Sequence, residues 1–190
     1  MRNNYLAQAW LVILLGLCFG GMLAAVESTL SGRIAQNRLD ETVDQIPKLV
    51  PGATREASTQ DEIDGERVFR AENPAGQLGW VISGGGQGFA DRIELLVGVD
   101  ARVREITGVY VLEQKETPGL GNRITEEGFL SQFAGSPAEK ELVVVKTGAR
   151  AANEIDAITG ATISSEAVCR IINQTLKRMR GDLVAALDKE

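Results

Sequence analysis

The stretch Ile93-Glu94-Leu95-Leu96-Val97-Gly98-Val99-Asp100-Ala101-Arg102-Val103-Arg104-Glu105-Ile106-Thr107-Gly108-Val109-Tyr110-Val111-Leu112 decides the fold class. Ile93, Leu95, Val97 and Val99 recur at the two-residue period of a half-buried strand. Asp100-Ala101-Arg102 supplies a turn, and Val103 to Leu112 reads as the antiparallel partner, densest at Val109-Tyr110-Val111-Leu112. Gly108 marks an expected bulge. Upstream, Val68 to Arg70 and Leu78 to Ser83 are short strand candidates around the turn Asn73-Pro74-Ala75-Gly76. Ser83-Gly84-Gly85-Gly86-Gln87-Gly88 reads as a flexible loop. It is not a dinucleotide fingerprint, because the third glycine of G-x-G-x-x-G falls on Phe89. Downstream, Thr117-Pro118-Gly119-Leu120-Gly121 breaks the second strand. Thr125 to Phe133 reads as a short amphipathic helix with Glu126 and Glu127 in its first turn, where the dipole favours acids. Leu142 to Val145 is a further strand. Glu166 to Leu187 is a long helix with an apolar stripe of Val168, Ile171, Ile172, Leu176, Met179, Leu183 and Leu187. Mixed strands and helices of this kind predict an α+β domain built on a small antiparallel sheet, with a long C-terminal helix.

Before this domain comes an apolar run. Leu6 to Val26 holds no charged residue, and its one strongly polar side chain is Gln8. At about 1.5 Å per residue it is roughly 31 Å long, close to the hydrocarbon thickness of a bilayer. Tyr5 and Trp10 stand near its start, where aromatic side chains favour the interface. A cleaved signal peptide is the alternative, but its apolar core is about 7–15 residues, shorter than this run. Leu15-Gly16-Leu17-Cys18 only loosely matches a lipoprotein box, since Leu17 is bulky where a small residue belongs. The reading is therefore a retained transmembrane helix. Arg2 lies on one side of it and Arg33 and Arg38 on the other, so counting positive charges leaves the orientation open. From Glu27 to about Leu49 a helical pattern continues through Leu30, Ile34, Leu39, Val43 and Ile46, to be ended by Pro47 and Pro51-Gly52. Residues 53–65 are expected to form a polar surface stretch with short structure at most.

Composition excludes several kinds of chemistry. The chain has 190 residues and no His, which removes imidazole bases, catalytic triads and His-ligated zinc. Two Cys cannot make a four-thiolate site. A net charge of −6 argues against nucleic acid as a partner. Cys18 lies in the apolar run and Cys169 in the last helix, where each reads as a small buried hydrophobe.

The stretch that carries chemistry is Asp156-Ala157-Ile158-Thr159-Gly160-Ala161-Thr162-Ile163-Ser164-Ser165. It offers four hydroxyls, two small residues and free backbone N–H groups at the start of a helix. Orphan donors and the positive end of the dipole make such a place suitable for a phosphate. Ordinary helix capping is the commoner reason for a Ser/Thr-rich helix start, and on local chemistry alone it is the favoured reading. A capping box, however, would need Ser or Thr three residues before Glu166, and Ile163 is there.

The run Thr159-Gly160-Ala161-Thr162-Ile163-Ser164-Ser165 resembles the flavinylation motif of the covalent FMN-binding domain family. Glu116-Thr117-Pro118-Gly119-Leu120-Gly121 resembles the family's E-T-P-G-L-G loop, which lies against the flavin. Gly88-Phe89-Ala90, followed by Ile93 to Asp100, is similar to the family's loop and strand. Two motifs about forty residues apart and in the right order are far more specific than either alone. With the apolar run, the resemblance covers nearly the whole chain. Within the family it is nearest to the G subunits of Rnf-type (Rsx) ion-translocating electron transport complexes. The chain departs from the pattern at Gln114 and Lys115, where relatives often carry His before the loop. Thr159 stands where Ser is common, which keeps the hydroxyl.

The resemblance implies one FMN, esterified through its phosphate to Thr162 by a separate flavin transferase. This fits an unactivated hydroxyl in a domain with no visible base. It implies that Thr159, Gly160, Ala161, Ser164 and Ser165 surround the phosphate. Glu116, Thr117, Gly119 and Leu120 would border the ring system, with Leu120 the apolar contact. Residues 1–5 would be a cytoplasmic tail, 6–26 the transmembrane helix, 27–65 a helical and irregular connector, and 66–190 the covalent FMN-binding domain on the outer side of the cytoplasmic membrane. The chain would relay electrons of a ferredoxin/NAD type among the other subunits of the complex, as part of a redox-driven ion translocase and with no catalysis of its own. One helix with a single strongly polar side chain conducts no ions by itself. Two other readings remain. One is the C subunit of a Na⁺-translocating NADH:quinone reductase, which shares the domain but is typically longer between anchor and flavin. The other is a cofactor-free membrane-tethered binding or assembly protein, in which Thr162 is only a helix cap.

Overall fold

A computed structural model describes residues 5–63 and 65–187. Residues 1–4 of the expected tail, Asp64 of the connector and residues 188–190 of the last domain lie outside them, as do the side chains of residues 5–8, Tyr5 and Gln8 included. The described residues fall into two compact units, up to Glu41 and from Thr42 onward.

The first unit is helical throughout. Helix α1 runs Tyr5–Leu49, so the apolar run and the helical pattern after it form one unbroken element. It is long and apolar enough to cross a membrane, and none of its most apolar window is buried. Pro47 lies inside the helix rather than ending it. Its missing N–H costs one bond near the last turn, and the Val50 amide still donates to the Ile46 carbonyl at 2.9 Å. The stop comes at Pro51-Gly52, with Gly52 at φ +93°.

The second unit takes in the last two turns of α1. Strands β1 (Thr59–Ile63), β2 (Glu66–Asn73), β3 (Gly76–Gln87), β4 (Arg92–Asp100) and β5 (Ile106–Glu113) form an antiparallel meander in sequence order. β1 is a polar edge strand, a composition that discourages further pairing. The Asn73 side chain accepts from the Ala75 amide at 2.8 Å in the β2–β3 turn. Asp100 lengthens the β4–β5 turn: one carboxylate oxygen accepts from the amides of Arg104 at 2.6 Å and Glu105 at 2.8 Å. β5 therefore starts at Ile106 rather than Val103. The expected bulge falls beside Gly108, with the register shifting between Gly98 and Val99 on the facing strand.

The glycine run read as a loop is strand. Gly84, Gly85 and Gly86 pair with Leu95, Glu94 and Ile93. The reason lies across the sheet. A Cβ on Gly86 would sit 2.8 Å from Ile171 Cγ1, and one on Gly84 would collide with Thr175 Oγ1. Bare backbone here lets the long helix α3 (Thr162–Leu187) lie close against β3. That helix begins at Thr162, four residues earlier than its apolar stripe suggested. Its stripe buries Val168, Ile171, Ile172, Leu176, Met179 and Leu183 against Trp80, Ile82, Ile93, Leu95, Val97 and Val99 of the sheet. Leu96 and Val81, on the opposite face, are also buried, together with Ile46, Leu49 and Val50. β4 is thus covered on both sides, where alternation alone predicted one.

The segment 125–133 is not one helix. A 3₁₀ turn (Gly121–Thr125), a single α-turn α2 (Glu127–Leu130) and another 3₁₀ turn (Ser131–Phe133) follow each other. Glu126 has extended backbone at φ −70°, ψ 138°, and its carboxylate binds Arg123 at 3.0 Å instead of supporting a helix start. Phe129 and Phe133 meet edge-to-face at 5.3 Å and tie the segment into the core. Last, β6 (Val143–Val145) and β7 (Glu154–Asp156) make a small parallel ladder that leads into α3.

Candidate functional site

The β7–α3 connection is built by local hydrogen bonds. The Ala157 amide donates to the Val145 carbonyl at 2.7 Å, extending the ladder by one residue, and the Ala161 amide donates to the Ile158 carbonyl at 2.9 Å. Gly160 between them has φ +84°, a conformation that glycine adopts without strain. Ser165 clasps the turn from the helix side. Its Oγ accepts from the Ile158 amide at 3.1 Å and donates to the Ala161 carbonyl at 3.0 Å. Asp156 accepts from the Ala149 amide at 2.9 Å, while Gln132 Oε1 accepts from the Asp156 amide at 2.8 Å. Glu154 turns back onto the amides of Arg150 and Ala151, which hold its carboxyl below the usual range.

Because α3 starts at Thr162, the residue in the capping position is Ala161, which has no side-chain acceptor. The N–H groups of Thr162, Ile163 and Ser164 take no partner among the described residues, and neither does the Thr162 hydroxyl. Three free donors stand at the positive end of a 26-residue helix with a hydroxyl beside them, an arrangement that can accept an anion. Plain capping does not describe this arrangement, since none of the four hydroxyls caps those N–H groups.

The E-T-P-G-L-G loop comes to the same place. Glu116 is buried, and Ser164 Oγ donates to its Oε2 at 2.5 Å. Its Oε1 accepts from the amides of Phe89 at 2.9 Å and Ala90 at 3.0 Å. Gly121 closes over the pair: a Cβ there would stand 2.6 Å from both Glu116 Oε2 and Ser164 Oγ. Leu120 reaches Gly160, its Cδ2 lying 3.2 Å from where a Cβ would be. The three stretches singled out in the sequence, 88–90, 116–121 and 159–165, therefore meet around the first turn of α3.

The expected site residues divide into two groups. Thr159, Gly160, Thr117, Gly119 and Leu120 are exposed, and Thr162 is half-buried at the helix start. Glu116, Ala161, Ser164 and Ser165 are buried, with the carboxylate and both serine hydroxyls engaged inside the protein. Sequence reasoning did not single out Ile163. It is 53% exposed, and the signal was available: it lies off the apolar stripe that α3 buries. Phe89 and Leu120, on the two loops that converge on the start of α3, are likewise exposed. Outside α1, the only other exposed large apolar residue among those described is Val143. Cys169 takes no part: it is buried, and desolvation followed by the nearby Glu166 charge pushes its thiol up to about 12.

A family model described as "FMN-binding domain" matches residues 88–177, which contain all three converging stretches. The G subunit of the Na⁺-translocating ferredoxin:NAD⁺ oxidoreductase complex of Acetobacterium woodii is 41% identical over 112 residues, 58% of this chain and 53% of that protein. The chain thus spans about half the length of that relative in the match. The G subunit of an ion-translocating oxidoreductase complex of Pseudomonas aeruginosa is 30% identical over 93% of this chain and 89% of its own length. Among solved structures, the crystal structure of Shewanella oneidensis NqrC superposes with a TM-score of 0.60 at 26% identity, covering 66% of this chain and 62% of that one. With a relative matched over nine-tenths of its length and the domain model over the site itself, the chain belongs to the family of G subunits of ion-translocating oxidoreductase complexes.

Proposed function

We propose that this chain is the membrane-anchored flavoprotein subunit of an Rnf-type complex, and that it relays electrons through one FMN held as a phosphoester on Thr162. The observation that carries the reading is the pairing of the unpartnered Thr162 hydroxyl with three unpartnered N–H groups at the start of α3. An oxygen nucleophile is there and donors for the phosphoryl oxygens stand next to it. When bound, the flavin supplies the redox chemistry, accepting and passing on electrons. The protein's part is to hold it. Thr162 contributes the ester oxygen, and the amides of Thr162, Ile163 and Ser164 neutralise the remaining phosphate charge. Gly160 keeps the approach clear, and Thr159 lies on the open side. Leu120, with Phe89 and Ile163, offers apolar surface to a planar ring.

The site does not contain what attachment needs. A threonine hydroxyl attacks phosphorus only with a base to take its proton. Glu116 already accepts three hydrogen bonds from other residues, and no side-chain base is hydrogen-bonded to the Thr162 hydroxyl among the described residues. A flavin transferase is therefore the maturation partner. Residues 6–26 anchor the chain in the cytoplasmic membrane as a single pass, with the flavin domain on the outer side. There, a covalent link prevents loss of the cofactor by dilution. The working partners are the other subunits of a complex that couples ferredoxin/NAD-type electron transfer to ion movement. The likeness to NqrC favours a second reading, a subunit of a Na⁺-translocating quinone reductase, which identification of the co-purifying subunits would separate from the first.

Co-expression of the full chain with an active flavin transferase, followed by a denaturing gel under ultraviolet light, tests the attachment. The wild-type band is expected to fluoresce and the Thr162→Ala band to be dark. Dark bands in both lanes, with the transferase active on another substrate, would reject the flavoprotein reading.

A further inference from the structure

Glu116 sits in an unusual position for a charged residue. It is 4% exposed, and it accepts from two backbone amides and one hydroxyl, which is an acceptor-only arrangement. The described residues provide it with no cation. Lys115, next in sequence, faces Asp91 and Glu113 instead, at 3.9 and 4.0 Å. A carboxylate is withdrawn from water at such a place only if its donors are well placed. Those donors come from two separate segments, Phe89 and Ala90 from the β3–β4 turn and Ser164 from the first turn of α3, and Glu116 joins them to a third, the loop after β5. Gly88 and Gly121 admit the carboxylate between them, because a Cβ on either would overlap one of its oxygens. Gln114 completes the support, its Oε1 accepting from the Glu116 amide at 2.7 Å.

The consequence concerns Ser164. Its N–H is one of the three free donors at the start of α3, while its hydroxyl is bound to Glu116. A carboxylate near a helix N-terminus would ordinarily take those N–H groups for itself. Bonded through the serine hydroxyl instead, it holds the first helical turn and leaves the N–H groups open. We propose that Glu116 is a positioning residue for flavin attachment. Acting through Ser164, it fixes the start of α3 so that the Thr162 hydroxyl and the three N–H groups face the incoming phosphoryl group together. Glu116 itself does not touch the flavin.

This inference rests on the reading of Thr162 as the attachment site. The attachment is a phosphoryl transfer from a flavin phosphoanhydride. The Thr162 Oγ–P bond forms, the anhydride P–O bond breaks, and the other phosphate leaves with its nucleotide. The hydroxyl proton passes to a base of the transferase. No electrons are gained or lost. What Glu116 changes is the geometry of the acceptor, to which such reactions are sensitive.

The test measures the initial rate of flavin incorporation into the full chain, by in-gel fluorescence, at several chain concentrations with a fixed amount of transferase. Thermal unfolding of each variant is recorded alongside. Ser164→Ala removes the latch from the helix side at little cost in volume, and Glu116→Ala removes it from the loop side. Each is expected to slow attachment by about tenfold to a hundredfold through the turnover rate rather than half-saturation. The double variant should be no slower than Glu116→Ala alone. Glu116→Gln keeps one oxygen for the Phe89 and Ala90 amides and presents an NH₂ to Ser164 Oγ, so it should recover most of the rate. Folded Ser164→Ala that incorporates flavin at the wild-type rate would overturn the proposal. So would equal loss in Glu116→Gln and Glu116→Ala, or strictly multiplicative effects in the double variant. Wild type that takes up no flavin would reject the attachment reading instead, and the two failures are distinct.

Discussion

Cys169 shows how one buried atom sets a pH dependence. Its thiol sits in the α3 stripe, and desolvation, followed by the Glu166 charge, raises its pKa from the ordinary 9.0 to about 12. The folded chain then keeps a proton that the unfolded chain releases above pH 9. The contribution is complete below pH 9 and is lost as pH rises from about 9 toward 12. In a Cys18→Ala background, urea midpoints should fall across that window, and Cys169→Ala should reduce the slope of the fall. Iodoacetamide at pH 8.5 should leave native Cys169 unmodified and label it after unfolding, since the thiolate is the reactive form. The same burial agrees with reading Cys169 as a small hydrophobe from its place in the last helix.

At the scale of elements, backbone contacts decide which glycines matter. Gly98 on β4 faces Gly108 on β5, and the end of α1 rests on the pair: a Cβ on Gly98 would lie 2.7 Å from the Leu49 carbonyl oxygen. Thr107 fastens the same carbonyl, its Oγ1 donating to the Leu49 oxygen at 2.5 Å. Neither strand nor helix end can yield easily, so Gly98→Ala is expected to destabilise by about 1–3 kcal/mol. Gly181 has the opposite character. It lies exposed in α3 with nothing within 4 Å of where an added methyl would stand, and Gly181→Ala should stabilise by roughly 0.5–1 kcal/mol through helix propensity. Urea denaturation of the two variants checks both signs. Gly84 and Gly86 are likewise held by a close approach, here to Thr175 and Ile171. The strand character of the run was hidden because the reason for those two glycines is the α3 face they press against, which lies far along the chain.

At the scale of the whole molecule, the domain includes more of the N-terminal helix than hydropathy alone assigns to it. The second compact unit begins at Thr42, and Ile46, Leu49 and Val50 are 0%, 3% and 2% exposed. A fragment starting at residue 42 should therefore fold with a urea midpoint equal to that of one starting at residue 27. A fragment starting at residue 51 loses three buried apolar side chains at about 1.5–3 kcal/mol each. Against a typical total of about 5–15 kcal/mol, it should be largely unfolded by circular dichroism or prone to aggregate. Equal stability of all three fragments would mean that the helix end is only an attachment.

Local chemistry is legible in a sequence when its cause is local. The apolar run 6–26, the alternation over 93–99 and the stripe of α3 each have their cause within a few residues, and each forms the helix or strand expected of it. Proximity along the chain, however, says nothing about which segments share a carboxylate. Only the tertiary structure decided that Glu116 lies inside rather than on the surface, that Ser164 and Ser165 spend their hydroxyls inward, and that α3 begins at Thr162 with three donors free. It also decided that segment 125–133 breaks into three short turns, where packing of Phe129 and Phe133 overrides a helical pattern. The candidate site residues could be named from the sequence because a motif is a local pattern. Their division into an exposed and a buried group could not, because burial is a property of the whole fold.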